Sequence, residues 1–147
     1  MRDDRGALAP AMPVIFVGLF VVGGLVIDGS RELNARGEAQ AYAEEAARAG
    51  ASAVDLAAVD LTLQPALAEQ RVQDYCATVR ASNSAVIVCR FDGVGPVSDT
   101  DQRQLVVHAT VRLRIPTTLL GMVGKSSLTA SGFAQARPFE GVTAPES

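Results

Sequence analysis

The sequence predicts an α+β protein: a long N-terminal helix, transmembrane and then extended, followed by a second helix packed on a small antiparallel sheet of about three strands. Three observations predict it. An uncharged apolar run, Ala7 to Ile27, stands almost at the N-terminus. Apolar residues then recur at helical spacing over 30–49 and again over 66–81. After Asn83 the spacing changes to two, the period of a strand with one buried face.

The apolar run reads ALAPAMPVIFVGLFVVGGLVI. At ~1.5 Å of rise per residue, about 20 such residues cross the ~30 Å hydrocarbon core of a bilayer. A soluble helix of this length carries a polar stripe, and the run has none. The apolar region of a signal peptide is shorter, about 7–15 residues, and ends at a small-residue cleavage site. Here the run ends in Ile27, Asp28, Gly29, Ser30 and Arg31, so a retained anchor is expected. Arg2 and Arg5 precede it and Arg31 and Arg36 follow it, so the positive-inside count is a tie. The N-terminal amine, the short leader and the cysteines behind the run favour a cytoplasmic N-terminus.

Within the run, Pro10 and Pro13 fall near the start, where backbone donors have no intrahelical partner. Gly18, Gly23 and Gly24 are candidate packing contacts for another helix. The same glycines are also ordinary tenants of a membrane helix, and a strict G-x-x-x-G is absent. Asp28 closes the run and has two readings: an interfacial acid at the water boundary, or a contact with a partner helix's N-terminus or a basic residue.

The helix is expected to continue beyond the run. Small apolar residues recur at Ala35, Ala39, Tyr42, Ala43, Ala46 and Ala49, and Glu32–Arg36 and Glu44–Arg48 are acid-before-base pairs four apart. With Gly50 as a stop, the result is one helix of about 43 residues, ~65 Å long. Its alanine face is too small to anchor a large core and suits close packing on a neighbouring helix or small sheet.

Residues 51–64 have no clear period, and Pro65 marks a break. Residues 66–81 form a second helix with Val72, Tyr75, Cys76 and Val79 on one face. Ala85, Ile87, Cys89 and Phe91 share a strand face, and Asp92, Gly93, Gly95 and Pro96 read as turn material. The clearest strand alternates Leu105, Val107, Ala109, Val111, Leu113 and Ile115 with Val106, His108, Thr110, Arg112 and Arg114, and Pro116 ends it. Leu119 to Gly124 is an apolar loop or helical turn, and a third strand runs from about Ser127 to Arg137. The tail from Pro138 is rich in Pro, Gly and Ser and is expected to fray.

Cys76 and Cys89 thus lie on the apolar faces of a helix and a strand. If the two faces pack, the thiols meet in the core; in an oxidising compartment they bridge, adding about 3 kcal/mol of stability. The other reading is two buried free thiols.

Chemistry is harder to find. The net charge is −3, Lys125 is the one lysine, and the arginines are interleaved with acids, so a nucleic-acid partner is disfavoured. His108 is the one histidine and falls on the polar side of its strand, with no recognisable nucleophile or orienting acid, so a surface histidine is expected. Gly124-Lys125-Ser126 resembles the end of a phosphate loop, but Leu119 stands where that loop needs a glycine. Asp99 and Asp101 lack EF-hand spacing, two cysteines and one histidine make no zinc site, and Asn83 is no glycosylation sequon. No catalytic residue, cofactor, metal site or small-molecule substrate is expected.

Several motifs, in order, resemble one family. Arg5-Gly6 stands before the apolar helix; the helix ends in Val26-Ile27-Asp28-Gly29, similar to V-V-D-x-G; Leu33-Asn34-Ala35-Arg36 follows; then Ala43-Glu44-Glu45-Ala46-Ala47-Arg48-Ala49-Gly50-Ala51, similar to A-D-A-A-A-L-A-G-A. Ile115-Pro116-Thr117-Thr118-Leu119-Leu120-Gly121 before a Ser- and Ala-rich strand adds a looser match. This is similar to the TadE/TadG-like family of bacterial Flp (type IVb, tight-adherence) pilus-assembly proteins, most strongly over residues 5–51.

The resemblance implies a membrane-anchored structural component, minor pilin-like or assembly protein, with no catalysis of its own. The partners implied are membrane lipid and other pilus-assembly or pilin-like subunits, and the location is the bacterial cell membrane, single-pass, with the bulk outside. It also implies a possible prepilin-peptidase site at Gly6–Ala7. The fifth residue beyond the glycine is Ala11 where pilin-like relatives have a glutamate, which favours an uncut anchor. The expected layout is a cytoplasmic leader 1–6, a transmembrane helix 7–27, a helical extension 28–50, an extracytoplasmic α/β domain 51–137 and a flexible tail 138–147. The competing class is a membrane-tethered binding or sensor domain unrelated to pili.

Overall fold

A computed structural model of the chain describes residues 11–55, 62–98 and 101–138. Two helices and a three-stranded sheet make up an α+β fold, as the change of period predicts. The elements are helix α1 (Ala11–Ala51), the two-residue strands β1 (Val54–Asp55) and β2 (Thr62–Leu63), helix α2 (Pro65–Ser82), strands β3 (Val86–Ser98) and β4 (Asp101–Pro116), a 3₁₀ turn (Leu120–Val123) and strand β5 (Ser127–Ala136). Strands β3, β4 and β5 form an antiparallel meander in that order.

The two halves of α1 live in different surroundings. Its first half is long and apolar enough to cross a membrane by length and composition. There the large apolar side chains from Met12 to Ile27 are 48–75% exposed, so this half has almost nothing of the protein to pack on. The second half turns Ala35, Ala39, Ala43, Ala46, Ala47 and Gly50 into the core. Alanine lets a helix backbone come close to a sheet, and Gly132 on β5 completes the approach. A Cβ built on Gly132 would lie 2.3 Å from the Ala39 carbonyl oxygen, a distance no side chain tolerates. Gly50 plays the same part nearer the helix end, where a Cβ would meet Val107 Cγ1 at 2.7 Å and Val72 Cγ2 at 2.8 Å.

The core lies between the helices and one face of the meander. It joins Val107, Ala109, Val111 and Leu113 of β4 to Val86 and Cys89 of β3, Ala134 of β5, and Ala68, Val72, Cys76 and Val79 of α2. The register places Val111 between Cys89 and Gly132, so the central strand carries the period-two pattern at full strength. The other face turns Arg112 and Arg114 outward.

Helix α2 begins with Pro65 at its first position, where a missing N–H has no consequence. It ends at Asn83, which gathers three elements. Its Oδ1 accepts the Ala85 N–H at 3.0 Å, its Nδ2 donates to Glu38 Oε1 of α1 at 2.8 Å, and its own N–H caps Val79. A polar seam continues along the two helices, where the Tyr75 hydroxyl donates to Glu45 Oε2 at 2.7 Å. Burial, and then the Glu45 carboxylate, push the Tyr75 phenol well above its ordinary range. Cys76 and Cys89 form a disulfide with a Cα–Cα distance of 5.5 Å, tying α2 to β3.

Strand β3 departs from the sequence reading twice: Ile87, expected on the face of Cys89, is exposed while Val86 is buried, because the register shifts between Val86 and Val88. Asp92, Gly93, Gly95 and Pro96 are not a turn; β3 runs through them to Ser98. The register shifts at Phe91/Gly93 and Pro96/Ser98, and Gly93 takes φ 115°, a conformation open to glycine. Bulges absorb what would otherwise break the ladder. Strand β3 is an edge strand, where a proline lacking its N–H is tolerated.

Candidate functional site

The β4–β5 connection folds back on α1 at the place where its apolar run ends. Pro116 closes the ladder of β4, and Thr117 spans the neck of the loop, with its N–H donating to the Ser126 carbonyl and its hydroxyl to the Lys125 carbonyl. Residues Leu120–Val123 wind into a 3₁₀ turn that stops at Gly124, whose φ of 89° suits glycine. The Gly124 N–H returns to the Gly121 carbonyl at 3.2 Å and the Lys125 N–H to the Leu120 carbonyl at 3.0 Å.

A turn of this kind begins with backbone N–H groups that have no partner inside it. Asp28 supplies one. Its Oδ1 accepts the Thr118 N–H at 3.0 Å, and its Oδ2 accepts those of Leu119 at 3.0 Å and Leu120 at 2.9 Å. The side chain is buried, with 1% of its surface exposed. Arg31, one turn further along α1, donates to the Thr118 hydroxyl at 2.5 Å. The Leu120 and Thr118 N–H groups, helped by Leu119 and Arg31, hold the Asp28 carboxyl below its usual range against the opposing pull of burial. The carboxylate is thus a latch between helix and loop.

Gly24 makes room for the latch one helical turn before Asp28. A Cβ there would lie 2.2 Å from Leu119 Cδ1. Leu119 therefore sits on bare helix backbone, and beside it a groove of about 380 Å³ opens between Leu120 and Phe16, Phe20 and Leu25 of α1.

The candidate residues fall out differently. Asp28, read as an interfacial acid or as a contact for a partner helix's N-terminus or a basic residue, has its carboxylate on three backbone N–H groups at the start of a turn in its own chain. Gly24 packs against Leu119, while Gly18 and Gly23 have open space where a Cβ would stand. Gly6, Ala7 and Asp99 lie outside the described residues, as does the side chain of Asp101.

His108 is half-buried on the outer face of the sheet rather than free on the surface. Its ring stacks on Phe133 at 5.7 Å and covers Gly95, and its Nδ1 has no hydrogen-bond partner among the described residues. Among the described residues no group of three or more His, Cys, Asp or Glu side chains gathers as a metal site.

Sequence reasoning missed Thr118, Leu119 and Leu120 as partners of Asp28, and Gln40 as a guard of the sheet edge. Gln40 bonds both the N–H and the carbonyl of Phe133, at 3.3 and 3.1 Å. No local signal marks either set, because the partners are about ninety residues apart in the chain. Only two adjacent leucines after a strand-ending proline hint at the latch.

Residues 6–60 match the model of the family described as Flp pilus-assembly TadE/G-like. The match covers α1 with Gly24, Asp28 and Arg31, and stops before the sheet that carries Thr118–Leu120. No curated protein and no solved structure matches the chain.

Proposed function

We propose that this chain is a membrane-anchored structural component, minor pilin-like or assembly protein, of a Flp/Tad-type pilus. The observation that carries the reading is the family match over residues 6–60, which falls on the helix whose first half is bare and apolar and whose second half builds the core. In this reading residues 7–27 span the bilayer, residues 1–6 stay in the cytoplasm, and the α/β domain to residue 137 faces outward, where its disulfide is favoured. Membrane lipid surrounds the anchor, and other pilus-assembly or pilin-like subunits pack on it or on the domain. The protein acts by holding position and presenting a surface, without catalysis of its own.

The latch supports this role mechanically. A helix leaving a bilayer through a flexible joint transmits little orientation to the domain above it. Here Asp28, Gly24 and Arg31 tie the exit point to the β4–β5 loop.

The test is the intact mass of the protein recovered from the membrane fraction, with and without reduction. A chain retaining residues 1–6 supports a permanent anchor; a chain beginning at Ala7 supports prepilin-type processing and a pilin-like subunit. A chain beginning beyond Ile27 overturns the anchor. The family match ends before the sheet, which keeps a second reading open: a membrane-tethered binding or sensor domain unrelated to pili. An adjacent secretion ATPase and prepilin peptidase among the gene's neighbours favour the first reading, and their absence the second.

A further inference from the structure

We propose that the Thr118–Gly124 turn is a second membrane contact, seated among lipid acyl chains beside the anchor helix so that the domain is fixed at a set tilt and depth. The proposal rests on the reading of α1 as a membrane anchor and adds a site outside it.

Depth is the first argument. Leu119 packs on Gly24, four residues before Asp28, and so reaches ~6 Å below the last charge of the helix. The groove beside Leu120 continues to Phe16, ~18 Å below Asp28 along the axis. Phe16 and Phe20, which line it, are 65% and 75% exposed. If the helix spans, the groove opens into the outer leaflet, and acyl chains are what fills it there.

Backbone chemistry is the second. Irregular backbone enters hydrocarbon only where its polar groups are already satisfied. The Asp28 carboxylate takes the N–H groups of Thr118, Leu119 and Leu120, and the Gly124 and Lys125 N–H groups close on the Gly121 and Leu120 carbonyls. The turn thus presents leucine side chains with the N–H groups of Thr118, Leu119, Leu120 and Gly124 already bonded.

Charge is the third. Arg31 reaches Thr118 at the start of the turn, and the exposed Lys125 follows its end. Arg31, three residues beyond Asp28 on α1, comes to the level of the lipid phosphates when Leu119 and Leu120 are immersed, where long basic side chains settle at an interface. An apolar groove flanked by basic side chains is the complement of acyl chains under anionic headgroups, and lipid is the occupant we assign.

The chain contains no tryptophan, so a single introduced indole reports one position. Gly121→Trp places it on the turn, where a Cβ meets only Thr117 Oγ1, at 3.7 Å. Phe16→Trp reports the anchor, and Gly37→Trp, with nothing within 4 Å of its Cβ, reports the helix beyond the membrane. The full chain is placed in vesicles of phosphatidylcholine and phosphatidylglycerol with brominated acyl chains.

The proposal expects blue-shifted emission at position 121, loss of most of it to the brominated chains as at position 16, and no loss to aqueous iodide, with position 37 behaving in the opposite way. Iodide quenching at 121 together with lipid quenching at 16 overturns the second contact and leaves the anchor standing. Shielding of 121 from both quenchers overturns it in favour of a protein occupant. Absence of lipid quenching at 16 removes the anchor, and the proposal with it.

Discussion

The Asp28 carboxylate accepts the Leu120 backbone N–H at 2.9 Å across 92 residues of chain, and with the Thr118 and Leu119 bonds it fastens the end of an apolar helix to the far loop of the sheet. A charged group hidden this completely is favourable only when such donors surround it.

Removing the acceptor should therefore free the loop. Asp28→Ala leaves three N–H groups unpaired. Asp28→Asn keeps one oxygen but turns an amide donor toward the same groups, so it rescues only in part. Amide exchange at Thr118, Leu119 and Leu120 should quicken in both variants, most in the alanine variant, while Val107 to Leu113 keep their protection. Unchanged exchange in Asp28→Ala would remove the latch from the account.

The latch should also depend on pH in one direction. Its carboxyl is held below the usual 3.8 in the folded protein, so the stabilisation is complete above that value and fades as the pH falls through the lower folded one. Exchange at the three amides, corrected for the intrinsic rate, should stay flat from neutral pH down to about 4 and rise only below. A rise centred near pH 6 would point to a different group.

Gly24 and Leu119 should be coupled. Gly24→Ala drives a methyl into Leu119, whose side chain is able to move, so the loop shifts rather than the fold failing. The double variant with Leu119→Ala relieves the clash. A double-mutant cycle read by thermal unfolding should return an interaction of about 0.5–3 kcal/mol, and additivity within error would contradict the contact.

Glycines on opposite sides of the helix–sheet contact should behave oppositely. Gly132→Ala sets a methyl against the Ala39 peptide, which cannot give way, so a loss of about 1–3 kcal/mol is expected from overpacking. Gly37→Ala meets nothing within 4 Å on the exposed face of α1 and should gain about 0.5–1 kcal/mol from helix propensity. Denaturant midpoints of the two variants against the parent decide it.

Opening the Cys76–Cys89 bridge should lower stability by about 3 kcal/mol through the freedom returned to the unfolded chain. Cys76→Ser/Cys89→Ser and the reduced parent should show similar melting temperatures, both below the oxidised parent. Equal melting of oxidised and reduced parent would remove the bridge from the stability account.

Much of the fold was legible in the sequence because it rests on local periods. An alanine-faced helix, a second amphipathic helix and an alternating strand each declare their buried faces within a dozen residues, the uncharged stretch declares itself by lacking any polar face, and α+β follows from their order. The same patterns carry the cysteines on two faces that the structure packs together. Asp92–Pro96 was misread because Gly and Pro punctuate turns and edge-strand bulges alike; pairing with β4 decides between them.

The partner of Asp28 was out of reach for another reason. A carboxylate announces that it needs donors but not which ones, and backbone N–H groups have no sequence identity. Only the tertiary approach of a loop ninety residues away, allowed by the missing side chain of Gly24, turned an acid at the end of an apolar run into the joint between helix and domain.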